Sequence, residues 1–403
     1  MTARTGHPSP FVPAPASRPA VPCGPDGVQQ AQALATGAVG ITLLHIERSA
    51  LGIGRRGSVR EWLTSIAASP LLASDGAGLF VGAPALAYVL NTAAGSTGRH
   101  RETLRALDAA ITTLTLRRLD AAHTRIDRGE HTTAAEYDLL YGLTGLGAYL
   151  LQRDPHAAAL HDVLSYLVRL TLPLPGTDLP GWWVRYDPSG RTSSSFPGGH
   201  GNLGMAHGIT GPLALLALAR RAGASVDGHT DAMLRILGWL DALRQTAPGG
   251  PWWPQWVTKD EHRLQTVLHD GPRRPSWCYG TPGLARAQQL AAIALGDNRR
   301  KRAAETALLR CITDPAQLEQ IGDAGLCHGA AGLLHTVHRV AQDADRPDQF
   351  TAQLPDLRAL VRAQAPARQP GFLDGTAGTA LALHATDQGG TPATGWDACL
   401  LLS

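Results

Sequence analysis

Seven segments of this chain repeat one pattern, and the repeat constrains the fold more than any other feature. Each has two glycines three apart (once Gly then Ala) opening an apolar run. The segments are TGAVGITLL from Thr36, VGAPALAYVL from Val81, YGLTGLGAYLL from Tyr141 and HGITGPLALLAL from His207. YGTPGLARA from Tyr279, HGAAGLLHTV from His328 and DGTAGTALAL from Asp374 complete the set. The first glycines stand at 37, 82, 142, 208, 280, 329 and 375. Repeats of this period stack into one continuous core, so a single large domain is expected rather than two.

Between the motifs lie amphipathic stretches beginning at Ser58, Glu102, His156, Thr230, Lys301 and Leu354. Each spaces its apolar residues at three and four, while the motif segments are apolar on nearly all sides. Alternation of the two kinds predicts an all-α double-layer α/α toroid of seven helix pairs, apolar helices inside and amphipathic ones outside. The shortest motif spacing, 45 residues, just accommodates two helices and two turns. The longer middle spacings mark insertions over 171–202 and 251–277. The first contains WWVRY and the turn signal Asp187-Pro188-Ser189-Gly190, which predicts a short hairpin-like insertion. Both insertions end at a motif carrying a candidate ligand, so they are expected to wall the site. The domain is expected over 29–388, with a proline-rich disordered arm at 1–28 and a C-terminal tail at 389–403.

Composition narrows the class further. Aromatic residues are 5% of 403, and the net charge is +3. No basic stripe with interleaved aromatics suggests a nucleic-acid partner. Five cysteines, an odd number, do not form a disulfide framework and favour metal or catalytic use in a reducing compartment. No run approaches the roughly 20 apolar residues of a membrane span, which predicts a soluble, cytoplasmic protein.

Aligned on the first glycine, Cys278 and Cys327 share a register, two before it, and His207 and His328 share the next. Alone, either cysteine reads as a small buried residue. Their common register and the adjoining His328 favour a Cys₂His zinc set of Cys278, Cys327 and His328 with a fourth position open. Cys23, Cys311 and Cys399 fall outside the register and read as structural. The residues alone leave His207 open between a core histidine and an acid–base group for an open zinc site. Asp138 reads either as a helix cap or as the residue that orients His207. Arg274, Trp277 and Tyr279 surround Cys278 and read equally as surface charge and packed aromatics.

AHGITG from Ala206, WCYGTPG from Trp277, CHGAAG from Cys327 and the seven glycine motifs resemble the lanthionine synthetase C-like family, the lanthipeptide cyclases. The resemblance runs from about Gln29 to about Ala385. It implies a two-layered toroid with one Zn²⁺ at a mouth, held by Cys278, Cys327 and His328. It further implies His207 as acid/base, assisted by Asp138, with Arg274, Trp277 and Tyr279 in the catalytic surroundings. The implied reaction adds peptide cysteine thiolates to dehydroalanine or dehydrobutyrine, giving lanthionine or methyllanthionine. The implied partners are a dehydrated precursor peptide and a separate dehydratase and exporter, the last two placing a cytoplasmic enzyme at the membrane periphery. Competing readings are another zinc thiol-alkylating toroid, of the prenyltransferase or glutathione-adding kind, and a non-catalytic zinc scaffold that binds thiols or peptides.

Overall fold

A computed structural model of the chain describes residues 31–403, apart from positions 56, 69, 96, 97, 366 and 368. The proline-rich segment, with Cys23, lies outside the described residues. Seven helices follow the glycine motifs: α1 (Ala38–Ala50), α3 (Ala83–Ala94), α5 (Leu143–Arg153), α7 (Thr210–Arg221), α9 (Thr281–Leu295), α11 (Ala330–Asp343) and α13 (Thr376–Gln388). Between them run α2 (Ser58–Ala67), α4 (Arg101–Asp127), α6 (Ala158–Leu170), α8 (His229–Ala242), α10 (Asn298–Ile312) and α12 (Leu354–Ala363). Each odd-numbered helix packs on the next odd-numbered one, and α13 returns to α1. The even-numbered helices pack outside, against their odd-numbered predecessors. The two-layered ring read from the sequence is the observed architecture.

The two layers bury their surfaces as their sequences dictate. In α5 every residue from Leu143 to Leu150 is buried, because the helix has protein on all sides. In α6 the buried set is Ala159, Leu160, Val163, Leu164, Tyr166, Leu167 and Leu170, a stripe at three and four that faces inward. Among the described residues no helix is long and apolar enough to cross a membrane.

The turns before the inner helices are tied into a closed belt. The amide of Leu34 donates to the carbonyl of Phe80 (2.8 Å), Phe80 to Leu140 (3.4 Å) and Leu139 to Ala206 (3.1 Å). Met205 donates to Cys278 (2.9 Å), Cys278 to Cys327 (3.1 Å), Cys327 to Leu373 (3.0 Å) and Leu373 to Ala35 (2.9 Å). Every acceptor stands two before its motif glycine, and all seven links run the same way round. The shared register therefore becomes a shared position on one ring, with Cys278 and Cys327 as bonded neighbours.

In the six motifs that have it, the second glycine gives this turn its room. A Cβ at Gly332 would sit 1.9 Å from the carbonyl oxygen of Leu326, and one at Gly283 would sit 2.1 Å from that of Trp277. The turn folds back over the first helical turn and leaves no room for a side chain. The close approach is thus mainly between each helix and its own turn.

Two expectations change. The insertion over 171–202 is hairpin-like only at isolated antiparallel bridges, Pro173 with Pro180 and Val184 with His200, the latter pair exchanging N–H···O bonds of 2.9 Å. The following Phe-Pro-Gly-Gly segment cannot extend a ladder: Pro197 has no amide proton, and Gly198 and Gly199 take φ values of 82° and 87°. Strand β1 (His200–Asn202) instead pairs antiparallel with a strand of the second insertion, Trp256–Thr258. The segment read as a C-terminal tail is also largely buried from Trp396 on. A 3₁₀ turn over Trp396–Leu400 lies in the core, with Trp396, Asp397 and Cys399 all 0% exposed. The Tyr88 hydroxyl donates to the Trp396 carbonyl (2.7 Å), and Arg286 donates twice to that of Leu402 (2.7 and 3.0 Å).

Candidate active site

The residues that follow the belt, one before each glycine, form the rim of one mouth. They are Thr36, Val81, Tyr141, His207, Tyr279, His328 and Asp374. Three neighbouring pairs in this order are in contact. The His207 ring lies near-parallel to that of Tyr141 (6.0 Å between centroids) and to that of Tyr279 (6.3 Å). His328 Nδ1 lies 3.6 Å from Asp374 Oδ1.

Beside the rim, Cys278, Cys327 and His328 offer three ligand atoms that all lie within 4.8 Å of one another. All four described cysteines are free thiols. The Cys327 hydrogen bond holds the Cys278 thiol well below its ordinary value, against the opposing effect of burial and with help from His328. The same contact, together with burial, pushes Cys327 well up. The pair readily gives up one proton and strongly resists losing the second. A cation between the sulfurs removes that resistance, which is the electrostatic character expected of a thiolate metal pair. His328 is raised by its hydrogen bond to Cys278, and its Nε2 faces Asp323 Oδ2 at 3.5 Å.

His207 is held from behind. Asp138 Oδ2 lies 2.6 Å from His207 Nδ1. The other carboxylate oxygen, Oδ1, accepts the amides of Tyr141 (2.7 Å) and Gly142 (2.9 Å). Asp138 is 0% exposed, whereas the His207 side chain is 31% exposed at the mouth. A buried carboxylate facing Nδ1 fixes the proton there and leaves Nε2 as the basic atom. One Asp138 oxygen thus closes the turn before α5 and the other faces the histidine ring.

A model of the lanthionine synthetase C-like protein family matches residues 29–401. The chain belongs to this family. The nisin biosynthesis protein NisC of Lactococcus lactis subsp. lactis is 25% identical over 217 residues, 51% of this chain and 49% of that protein. The match thus spans about half the length of this curated relative. A solved structure of nisin cyclase superposes with a TM-score of 0.78, covering 93% of this chain and 92% of that one at 21% identity. That likeness establishes the fold. The lanthionine synthetase C-like match runs on to residue 401, beyond the Ala385 limit expected from the motifs, and takes in the buried C-terminal turn.

In this lanthionine synthetase C-like protein the structure brings together Cys278, Cys327, His328, His207, Asp138 and Tyr279. Arg274 is close enough for its charge to act on Cys327, His328 and Asp374. Trp277 is placed differently. It is 1% exposed and its indole donates to the Leu400 carbonyl (3.0 Å). The belt turns it into the barrel interior, so it braces the Cys278 turn from behind instead of facing the mouth. The Tyr279 hydroxyl accepts from Asn202 Nδ2 (3.0 Å), and burial pushes its pKa up to about 12.

Four residues near the site escaped the sequence reading: Tyr141, Asp374, Asn202 and Asp323. The register held the signal. Tyr141 and Asp374 stand one before a glycine, as His207 and His328 do. Asn202 and Asp323 each stand six before one, and each accepts the amide two residues on, Gly204 (3.0 Å) and Gly325 (2.8 Å).

Proposed function

We propose that this protein is a zinc-dependent lanthipeptide cyclase. The observation that carries the reading is the convergence of Cys278, Cys327 and His328 beside a histidine backed by a buried carboxylate. Two thiols and an imidazole suit zinc, and three protein ligands are the usual complement of a catalytic site. When bound, the ion supplies positive charge that favours the thiolate form of a cysteine brought to it. The family match and the nisin-related proteins support a substrate peptide carrying both cysteine and dehydrated serine or threonine.

The protein's own residues then carry one proton through two transfers. Nε2 of His207 takes the substrate thiol proton, with Asp138 stabilising the imidazolium. The sulfur bonds to the β-carbon of the dehydro residue, and the C=C electron pair moves toward the α-carbon and its carbonyl. Arg274 contributes charge that favours this enolate. His207 returns the proton to the α-carbon. The net change is addition of S–H across C=C, with nothing else consumed. Tyr279 and Tyr141 flank His207 and restrict its ring. We assign the work to the cytoplasm, beside a separate dehydratase and an exporter that bring the protein to the membrane periphery.

Cyclisation leaves the mass unchanged, so free thiols are the readout. Zinc-loaded protein incubated with a synthetic peptide containing one cysteine and one dehydroalanine should consume one thiol per peptide. A chelator, or His207→Ala, should leave the thiols intact. Thiols retained in the zinc-loaded sample would favour a non-catalytic scaffold, and ring closure by metal-stripped protein would refute the zinc reading.

A further inference from the structure

Resting on the cyclase reading, we infer that Tyr141 and the recess beside it form a subsite for an uncharged apolar side chain flanking the reacting residues of the peptide. Tyr141 touches both places at once. One side of its ring stacks on His207. The same residue lines a recess of about 410 Å³ with Gly76, Arg118, Ala121, Ala122, Thr133 and others. A dehydro residue that reaches His207 therefore lies next to this ring.

The position is built and not slack. The Tyr141 amide donates to Asp138 Oδ1 (2.7 Å), and its carbonyl accepts from Arg118 (2.6 Å). A Cβ at Gly78 would lie 3.0 Å from the Tyr141 carbonyl oxygen and 3.1 Å from its Cα. Yet the side chain is 48% exposed. An aromatic ring locked by its backbone and left open to solvent at a reacting centre is a contact surface awaiting an apolar partner.

The charged groups around the recess are already engaged. Arg118 donates to the carbonyls of Tyr141, Ala77 (2.8 Å) and Asp75. Glu136 accepts from Arg125 (2.7 Å) and from the Tyr166 hydroxyl (2.7 Å). Asp75 accepts from Arg117 (2.9 Å). A charged ligand side chain would be desolvated there with no free counter-charge, which penalises it. The remaining wall is Tyr141, three alanines, glycine and threonine, and it accepts a side chain of leucine size.

The test separates binding from chemistry. The probe is a fluorescein-labelled peptide with one dehydroalanine and alanine in place of cysteine, made with leucine, lysine or glutamate beside the dehydroalanine. Wild type should bind the leucine peptide about 5-fold more tightly than the charged ones, a difference typical of one aromatic contact. Tyr141→Ala and Ala135→Trp, which fills the recess, should erase that preference, while Tyr141→Phe keeps it. Equal binding of the three peptides by wild type, or an unaltered preference in both variants, overturns the subsite. Turnover of the cysteine-containing leucine peptide is measured in parallel. Tyr141→Ala, which also frees the His207 ring, should raise KM, and a fall in kcat with KM unchanged would also overturn the subsite. A preserved preference without ring closure leaves the subsite standing and removes the cyclase reading.

Discussion

At His207 the direction of one hydrogen bond sets the chemistry. With Nδ1 held by Asp138 at 2.6 Å, only Nε2 is free to move a proton. Asp138→Asn keeps the shape but can present an N–H to Nδ1, which moves the imidazole proton to Nε2. We expect kcat to fall by about 10²-fold or more, and the Asp138→Asn, His207→Ala double variant to lose little beyond His207→Ala alone. Additive losses in a steady-state comparison would show that the two do not act as a unit. Tyr279, pushed up to about 12, stays a neutral phenol across the working range. Its raised value means that no alkaline loss of activity below about pH 11 belongs to it. Tyr279→Phe should therefore change the height of the pH–rate profile and leave its shape. An alkaline limb that vanishes in Tyr279→Phe would contradict this. Much of the candidate site was legible at this scale because its two cysteines share one register and its two histidines the next. Trp277 was not: its neighbours announce chemistry, but its own direction depends on a carbonyl 123 residues away.

The element that defines the fold is the glycine-headed turn, and its two glycines have different duties. The first opens the inner helix. The second lies under the carbonyl three before the first glycine. Gly332→Ala would bring Cβ to 1.9 Å from the Leu326 carbonyl oxygen, beside the proposed ligand Cys327. Despite the helix propensity gained, we expect a loss of about 1–3 kcal/mol, with weakened metal binding. Gly238, in the exposed part of α8, has nothing within 4 Å of an added Cβ. There the same substitution should stabilise by about 0.5–1 kcal/mol. Chemical denaturation of both variants checks the pair, and shifts of the same sign would show that the close approach is not what the glycine serves. The spacing of these glycines was plain in the sequence, but the carbonyl they accommodate was not. The strand pair between the two insertions was also hidden. Its partners are 54 to 58 residues apart, and pairing over such distances leaves no local periodicity.

At the scale of the molecule, the C-terminal turn acts as an axial strut inside the ring. Asp397 is fully buried. Its Oδ2 lies 2.8 Å from His335 Nε2 and 3.0 Å from Arg339 Nε, and Trp396 stacks on His335. Burial pushes the Asp397 carboxyl up, but the His335 hydrogen bond and the charges of His335 and Arg339 outweigh it and leave the group below its ordinary value. A depressed carboxylate adds stability above its unfolded pKa and loses it as pH falls through the lower, folded one. Thermal unfolding should therefore show stability falling from about pH 4 downward in wild type. Asp397→Asn should lack that component and lose about 3–5 kcal/mol at pH 7, the usual cost of breaking a buried pair. An unchanged melting temperature in Asp397→Asn would remove the strut from the account. The sequence hid this element because a Gly-Gly-Thr-Pro lead and five irregular residues look like a tail. Only the ring closure shows the interior it fills.

The belt makes Cys278 and Cys327 neighbours and so creates the proposed metal site, and the metal content of the purified protein tests this most directly. Elemental analysis should find about one zinc per chain in wild type, and far less than that in Cys278→Ala, Cys327→Ala and His328→Ala, each still folded by circular dichroism. Wild type without bound metal after zinc loading, or the three variants retaining the wild-type amount, would contradict the account.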